Sequence, residues 1–378
     1  MPTQTIRQLQ DWAFDTGLPF WFDAGPDRVA GGFHEQLDFA GRPAPCGFRR
    51  LRVTARQVYV FSHAAVLGYT DGLASATAAL DLVWERAWQG PDRGWARLLD
   101  DRNQVLDPAA DLYDCAFMVF AHAWHYRATG DGGSLARADA TLDFIQQRMG
   151  HPAGGFVNLL PTASGPRLQN PHMHLVEALL ALVEATDAAR YRELAASLVG
   201  LIRTRVIDRT TGTLGERFTE DWQMWPGAEG TVREPGHQFE WVWILDKARQ
   251  LLGIDITSDA RLLYDSAARL GINPQTGLVC NAVDPQGVVL DGGSRSWTNT
   301  ERLKAEVVAG RLFGLDTAAG IEASGRALLD RYLAAPVPGT FVDAFDAAGQ
   351  PVAKAVPASI LYHLFLAICE AGSVLDEA

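Results

Sequence analysis

Gly277-Leu278-Val279-Cys280-Asn281-Ala282-Val283-Asp284-Pro285-Gln286-Gly287 decides the fold, because the chain repeats it. A glycine is followed by an apolar residue, a short extended stretch and a turn at Asp-x-x-Gly. The same pattern runs from Gly32-Phe33 to Asp38 and Gly41, and from Gly339-Thr340-Phe341 to Asp346 and Gly349. Fainter copies begin at Gly94-Trp95, Gly155-Phe156 and Gly212-Thr213-Leu214. The six leading glycines are 62, 61, 57, 65 and 62 residues apart, a spacing that marks a repeated structural unit.

Helical patterns fill the intervals in pairs. Apolar residues recur at three- and four-residue spacing over Thr54 to Leu67 and Ala74 to Ala87, Leu112 to Tyr126 and Ser134 to Met149, and His174 to Ala185 and Ala188 to Val206. No segment alternates long enough for a central sheet. Each unit reads as loop, helix, helix, and six such units without recognisable end caps fit a closed toroid better than an open solenoid. The expectation is an all-α (α/α)6 barrel, residues 1–378 forming one catalytic domain with short hairpin-like loops on one face.

In such a ring the inner helices run parallel, so the loops before them gather on one face. Counting from each leading glycine to a conspicuous polar residue at the next helix start gives Arg56, Asp114, His174, His237, Glu301 and His363, 19 to 25 residues on. Any one of these fits a helix cap or a solvated surface. Six in register describe a concave site with convergent polar groups. Trp95, Trp222, Trp225, Trp241 and Trp297 fall in or beside that face, where an indole would stack on a pyranose.

Composition sets the outer limits. With 45 acidic and 33 basic residues, a net charge of -12 and no Lys/Arg-rich run, the chain lacks a nucleic-acid footprint. Met1 to Asp15 has no apolar leader core, and no stretch of about 18 apolar residues is expected elsewhere, so no membrane partner is expected and a cytoplasmic protein is. Cys46, Cys115, Cys280 and Cys369 show no CxxC spacing and read as free thiols. His172 and His174, two apart on a helix, point in different directions, and no HExxH, GxGxxG or P-loop pattern occurs. No cofactor and no metal are expected, and the oligomeric state stays open between monomer and homodimer.

The local sequences resemble the N-acylglucosamine 2-epimerase superfamily over nearly the whole chain. The segments are Arg52-Val-Thr-Ala-Arg56-Gln-Val-Tyr-Val, Leu112-Tyr113-Asp114-Cys-Ala-Phe117, Asn170-Pro-His-Met-His174, Pro235-Gly-His237-Gln-Phe-Glu240-Trp241, Trp297-Thr-Asn-Thr-Glu301 and Tyr362-His363-Leu. The resemblance implies a monosaccharide substrate and an acid/base pair at His237 and His363. It also implies sugar contacts from Arg56, Asp114, Asn170, His172, His174, Glu240, Trp297 and Glu301. Cys115 stands where relatives carry Gln or His, which puts one contact in doubt. Glu240, one turn after His237, is expected to orient that imidazole and raise its pKa. Glu240-Trp241 without intervening residues resembles the aldose-ketose isomerases, so a mannose/fructose-type isomerase is expected. The alternatives are a 2-epimerase of an N-acylhexosamine or cellobiose-type sugar, a glycoside hydrolase using a carboxylate pair, and a sugar-binding protein without turnover. Which histidine moves which proton stays open, and Arg49, Arg50 and Arg52 read equally as a phosphate or sulfonate contact or as a solvated face.

Overall fold

The computed structural model describes residues 2–376, and Met1, Glu377 and Ala378 of the expected domain lie outside them. The first helix, α1 (Pro2–Asp11), continues through a wide turn at Trp12–Gly17 into α2 (Leu18–Ala24). Helical hairpins follow: α3 (Leu51–Val66) with α4 (Leu73–Ala87), α5 (Leu112–Thr129) with α6 (Gly132–Arg148), and α7 (Gln169–Thr186) with α8 (Ala189–Leu201). After the single turn α9 (Ala228–Thr231) come α10 (Pro235–Leu252) with α11 (Thr257–Leu270), α12 (Ser296–Phe313) with α13 (Ala318–Ala327), and α14 (Leu361–Asp376).

Helices α3, α5, α7, α10, α12 and α14 each pack on the next, and α14 packs on α3, which closes an inner ring. Their sequences suit that position: every residue from Asp114 to His125 of α5 is buried, as expected of a helix enclosed on all sides. The outer helix α4 buries only a stripe of Ala76, Ala79, Leu80, Val83 and Ala87. The architecture is therefore the expected (α/α)6 barrel. The sixth hairpin differs from a simple repeat, because its outer position is filled by α1, which packs against α14 and α13.

Two other readings need correction. The inner helices begin before the apolar periodicity does, at Leu51 instead of Thr54 and at Gln169 instead of His174, because their first turns carry polar residues towards a cavity. An 18-residue window, Ala358–Leu375, does have the length and mean hydropathy (1.6) of a membrane span, against expectation, and 72% of it is buried inside the protein. It is apolar because the barrel encloses it.

The loops are stitched into a second circle. The residues before each inner helix pair antiparallel with the following loop: Arg49 and Arg50 with Leu99 and Leu98, Ala110 and Asp111 with Leu160 and Leu159, and Arg167 and Leu168 with Phe218 and Arg217. Arg233 then bridges to Val283, Ser294 and Arg295 pair with Phe345 and Ala344, and Val356 and Pro357 return to Leu37 and Gln36. Within the loops, the carboxylates of Asp38, Asp100, Asp284 and Asp346 accept backbone N–H groups two and four residues on. This turn needs one residue with positive φ. Gly41, Gly287 and Gly349 supply it in the clear repeats, whereas Asn103 (φ 58°) and Trp222 (φ 60°) supply it in two faint ones.

Candidate active site

A cavity of about 230 Å³ opens on the loop face of the barrel, lined by the first turns of the inner helices. A simple register places its side chains. The second and sixth residues of an inner helix share a face one turn apart, and these are Arg52 and Arg56 on α3, Asn170 and His174 on α7, and Trp297 and Glu301 on α12. On α5 the second residue is Tyr113, and on α10 the sixth is Glu240. His237 and His363 are each third in their helices.

The two histidines meet in this cavity, with the Trp297 ring lying 5.1 Å from that of His237 and 5.8 Å from that of His363. Each imidazole is held by a carboxylate through Nδ1. His363 donates to Glu301 Oε1 at 2.9 Å, and His237 to Glu216 Oε2 at 3.0 Å with Glu234 Oε2 at 3.5 Å. Nε2 of each ring is thereby left for the cavity.

Their electrostatic settings are opposed. Burial disfavours charge on His237, but the carboxylates of Glu216 and Glu234 overrule it and raise the pKa to about 10. Burial, reinforced by Arg56 and Lys304, holds His363 well below its ordinary value. At neutral pH one ring is an imidazolium and the other a free base, the division of labour that acid/base chemistry requires.

Around them, Arg56 donates to Tyr113 Oη at 2.6 Å and stacks on Phe117 at 4.3 Å, with no carboxylate partner among the described residues. His174 donates through Nδ1 to Glu177 at 3.0 Å, and Glu177 also accepts from the Tyr362 hydroxyl at 2.5 Å. Glu240 is buried with one unpartnered oxygen, and burial together with Glu301 pushes its pKa well above the ordinary carboxylate range against the pull of Lys304. Asn170 likewise has a buried carbonyl oxygen without a partner.

Seven of the ten expected site residues thus line one cavity: Arg56, Asn170, His174, His237, Glu240, Trp297 and His363. Three do not. Asp114 is fully buried and grips Arg52 through both oxygens, at 2.8 and 3.1 Å, so it reaches the cavity only through that guanidinium. Glu301 is fully buried behind His363. His172 faces the outside of the ring, where Nε2 accepts from Phe156 N–H and Nδ1 donates to the Leu168 carbonyl, both at 2.9 Å. The carboxylate orienting His237 is Glu216, not Glu240. Cys115 is buried away from the cavity, so no substrate contact is at stake there. Of the five tryptophans expected at the face Trp297 lines the cavity, whereas Trp95 and Trp241 are core, Trp222 packs on Arg167, and Trp225 is half-buried outside the cavity lining.

Sequence reasoning passed over Tyr113 as a cavity residue, although it sat in a quoted motif, and it missed Glu216 and Glu234. The arginine cluster resolves in two ways. Arg49 is structural, bonded to Asp27 and to the carbonyls of Gly31 and Asp101, whereas Arg50 and Arg52 reach the cavity, as does Arg295. Three groups bring His and carboxylate atoms within 4.8 Å: His174, Glu177 and Glu240; Glu216, Glu234 and His237; and Glu240, Glu301 and His363. In each group the imidazole Nδ1 already serves a carboxylate.

Comparison with known proteins adds to this geometry. The family model described as N-acylglucosamine 2-epimerase (GlcNAc 2-epimerase) matches residues 31–367. The chain is 34% identical to the "Mannose-6-phosphate isomerase" of Rhizobium meliloti (strain 1021), covering 98% of this chain and 97% of that one. It is 28% identical to a "D-mannose isomerase" of Thermobifida fusca over 78% of this chain and 76% of that one. The solved structure of cellobiose 2-epimerase from Spirochaeta thermophila DSM 6192 superposes with a TM-score of 0.88 at 25% identity, covering 100% of this chain and 98% of the other.

Proposed function

The chain belongs to the N-acylglucosamine 2-epimerase family, and from that premise we propose that it is a cofactor-independent sugar isomerase that interconverts an aldose and a ketose of the mannose/fructose type. The observation that carries the reading is the pair of imidazoles, one cationic and one neutral, each fixed by a carboxylate and both next to the Trp297 ring. The named activity of the full-length relative supports isomerisation. Residues 2–376 act as one catalytic domain, because the inner ring closes through α14 on α3 and α1 completes the outer layer against α13 and α14.

His237 as imidazolium donates its Nε2 proton to the ring oxygen as the C1–O bond breaks, and takes up the O1 hydroxyl proton in exchange, so the sugar opens to its aldehyde form. His363 then removes the C2 proton with Nε2, the C–H electron pair forms the C1–C2 double bond, and the carbonyl pair moves onto O1 to give a cis-enediolate. Transfer of the O2 proton to O1 and return of the same carbon-derived proton from His363 to C1 give the ketose. Arg56, which pairs with no carboxylate among the described residues, stabilises negative charge developing on O1 and O2, and Glu240, whose carboxyl is held towards its neutral form by burial, lies in the same cavity. Trp297 supplies the apolar face against which the sugar lies.

A 2-epimerase is the second reading, and the superposition on the cellobiose enzyme favours it. It would use the same charge division differently: one imidazole removes the C2 proton and the other returns one to the opposite face. Incubation with mannose, mannose 6-phosphate, glucose, N-acetylglucosamine and cellobiose in D2O, followed by NMR, separates the two. A ketose product supports isomerisation. A C2 epimer carrying deuterium at C2, with no ketose, overturns it. Four unpaired cysteines support a reducing, cytoplasmic setting for the work.

A further inference from the structure

We propose that the opposite mouth of the barrel holds a second binding site, for a small uncharged molecule with an apolar body and one hydrogen-bond acceptor. A cavity of about 230 Å³ lies there among the last turns of α3, α5, α7, α10 and α14. Its walls are Leu67, Phe120, Leu180, Leu251 and Leu366 beside the indoles of Trp124 and Trp243.

Among the described lining residues outside the rim ion pairs, His63, 9% exposed, offers a donor to the cavity, whereas the unpartnered indole N–H groups of Trp124 and Trp243 are buried away from any accessible surface. The Tyr59 hydroxyl meets His63 Nδ1 at 2.9 Å. Burial keeps the phenol protonated and the imidazole neutral, so the hydroxyl donates to Nδ1 and the ring proton sits on Nε2. Among the described residues that Nε2–H has no acceptor. His63 is held rigidly for this, its ring 4.1 Å from that of Trp124, with Arg127 4.1 Å from the same indole.

The class of ligand follows from what the walls offer. Charge at the rim cancels in two ion pairs, Arg127 with Glu184 at 2.9 Å and Lys247 with Glu370 at 3.0 Å, so neither an anion nor a cation is favoured. Glu177 lines the cavity too, but its oxygens are taken by Tyr362 and His174. A sugar, with hydroxyl donors all round, would find acceptors only at the rim, whereas a carbonyl or ether on an apolar ring matches one donor among aromatic walls. The site is thus chemically distinct from the sugar cavity, and it touches it from behind through Glu177.

Acetophenone is the probe and ethylbenzene its counterpart without an acceptor. Indole N–H signals of the 15N-labelled protein are followed during titration, with those of Trp124 and Trp243 assigned from Trp124→Phe and Trp243→Phe. Acetophenone is expected to shift both signals saturably, and ethylbenzene to bind about tenfold more weakly, the worth of one buried hydrogen bond. His63→Phe should bring the two probes to equal affinity. Should that variant not fold, Ala181→Phe, which fills the cavity from its wall, should abolish binding of both. Absence of a saturable shift, or equal affinity of the two probes for the unmodified protein, overturns the proposal.

Discussion

Lys304 stands one turn beyond Glu301 on α12, and their side chains form a 2.7 Å ion pair that solvent does not reach. Glu240 and Glu177 act on the same ammonium, and the Trp243 ring lies 4.1 Å from it. Three buried carboxylates therefore depend on one cation. Replacing it, as in Lys304→Met, leaves charge uncompensated, with an expected loss of about 3–5 kcal/mol.

The pH dependence of that loss is a sharper test. Burial already raises Glu301 to about 7 against the pull of Lys304, and it raises Glu177 and Glu240 as well. A carboxyl with a folded pKa above its unfolded value costs stability as pH rises through that interval. In Lys304→Met the pKa values climb further, so urea unfolding should show a deficit that is larger at pH 8 than at pH 5. The acidic limb of kcat should also move to higher pH, because Glu301 must be ionised to accept from His363. A deficit of equal size at both pH values would contradict this account.

His237 gives the opposite sign. Its folded pKa of about 10 lies above the ordinary 6.5, so its contribution to stability is complete below pH 6.5 and is lost as pH rises through 10. Glu216→Gln removes the main opposing charge to burial. The variant is expected to lose less stability than the parent between pH 7 and 10, and its alkaline limb of kcat should fall by about 1 pH unit or more. Denaturant midpoints and rate profiles across that range check both.

The sequence made the repeat visible because glycine is the residue a left-handed turn selects, and it dimmed where Asn103 and Trp222 took the same conformation. Helix register carried most of the site, since Arg56, His174, Glu240 and Glu301 are all sixth in their helices. Searching for ionisable groups led to Asp114 and passed over Tyr113, its neighbour one residue closer to the cavity axis. Glu216 was hidden for a different reason. It precedes His237 by 21 residues, on a loop whose pairing with the previous unit has no signature along the chain. The role of α1 was equally hidden, because closure joins segments from the two ends of the sequence.

His172 is expected to matter for folding and not for turnover. It ties the Gly155 loop to α7 through the bond from Phe156 N–H, its ring fixed by a second bond to the Leu168 carbonyl at the start of α7, so His172→Ala should cost about 1–3 kcal/mol of stability with kcat within about twofold of the parent. Gly155→Ala should produce the same phenotype from the other side. Gly155 has φ +65°, and an added Cβ would lie 2.8 Å from His172 Nε2. A large fall in kcat for folded His172→Ala would return this residue to the site.

Separating the two imidazoles requires a substrate with no ring to open. Glyceraldehyde offers the aldehyde and the C2 proton directly, so it needs the base but not the ring-opening acid. His363→Gln is expected to lower kcat by about 10²–10⁴ on mannose and to abolish deuterium incorporation on either substrate. His237→Gln should be impaired on mannose yet retain most of its activity on glyceraldehyde, because the proton that Glu216 and Glu234 hold on His237 is spent on the ring oxygen. Equal impairment of His237→Gln on both substrates would place His237 at the carbon as well, as a 2-epimerase demands.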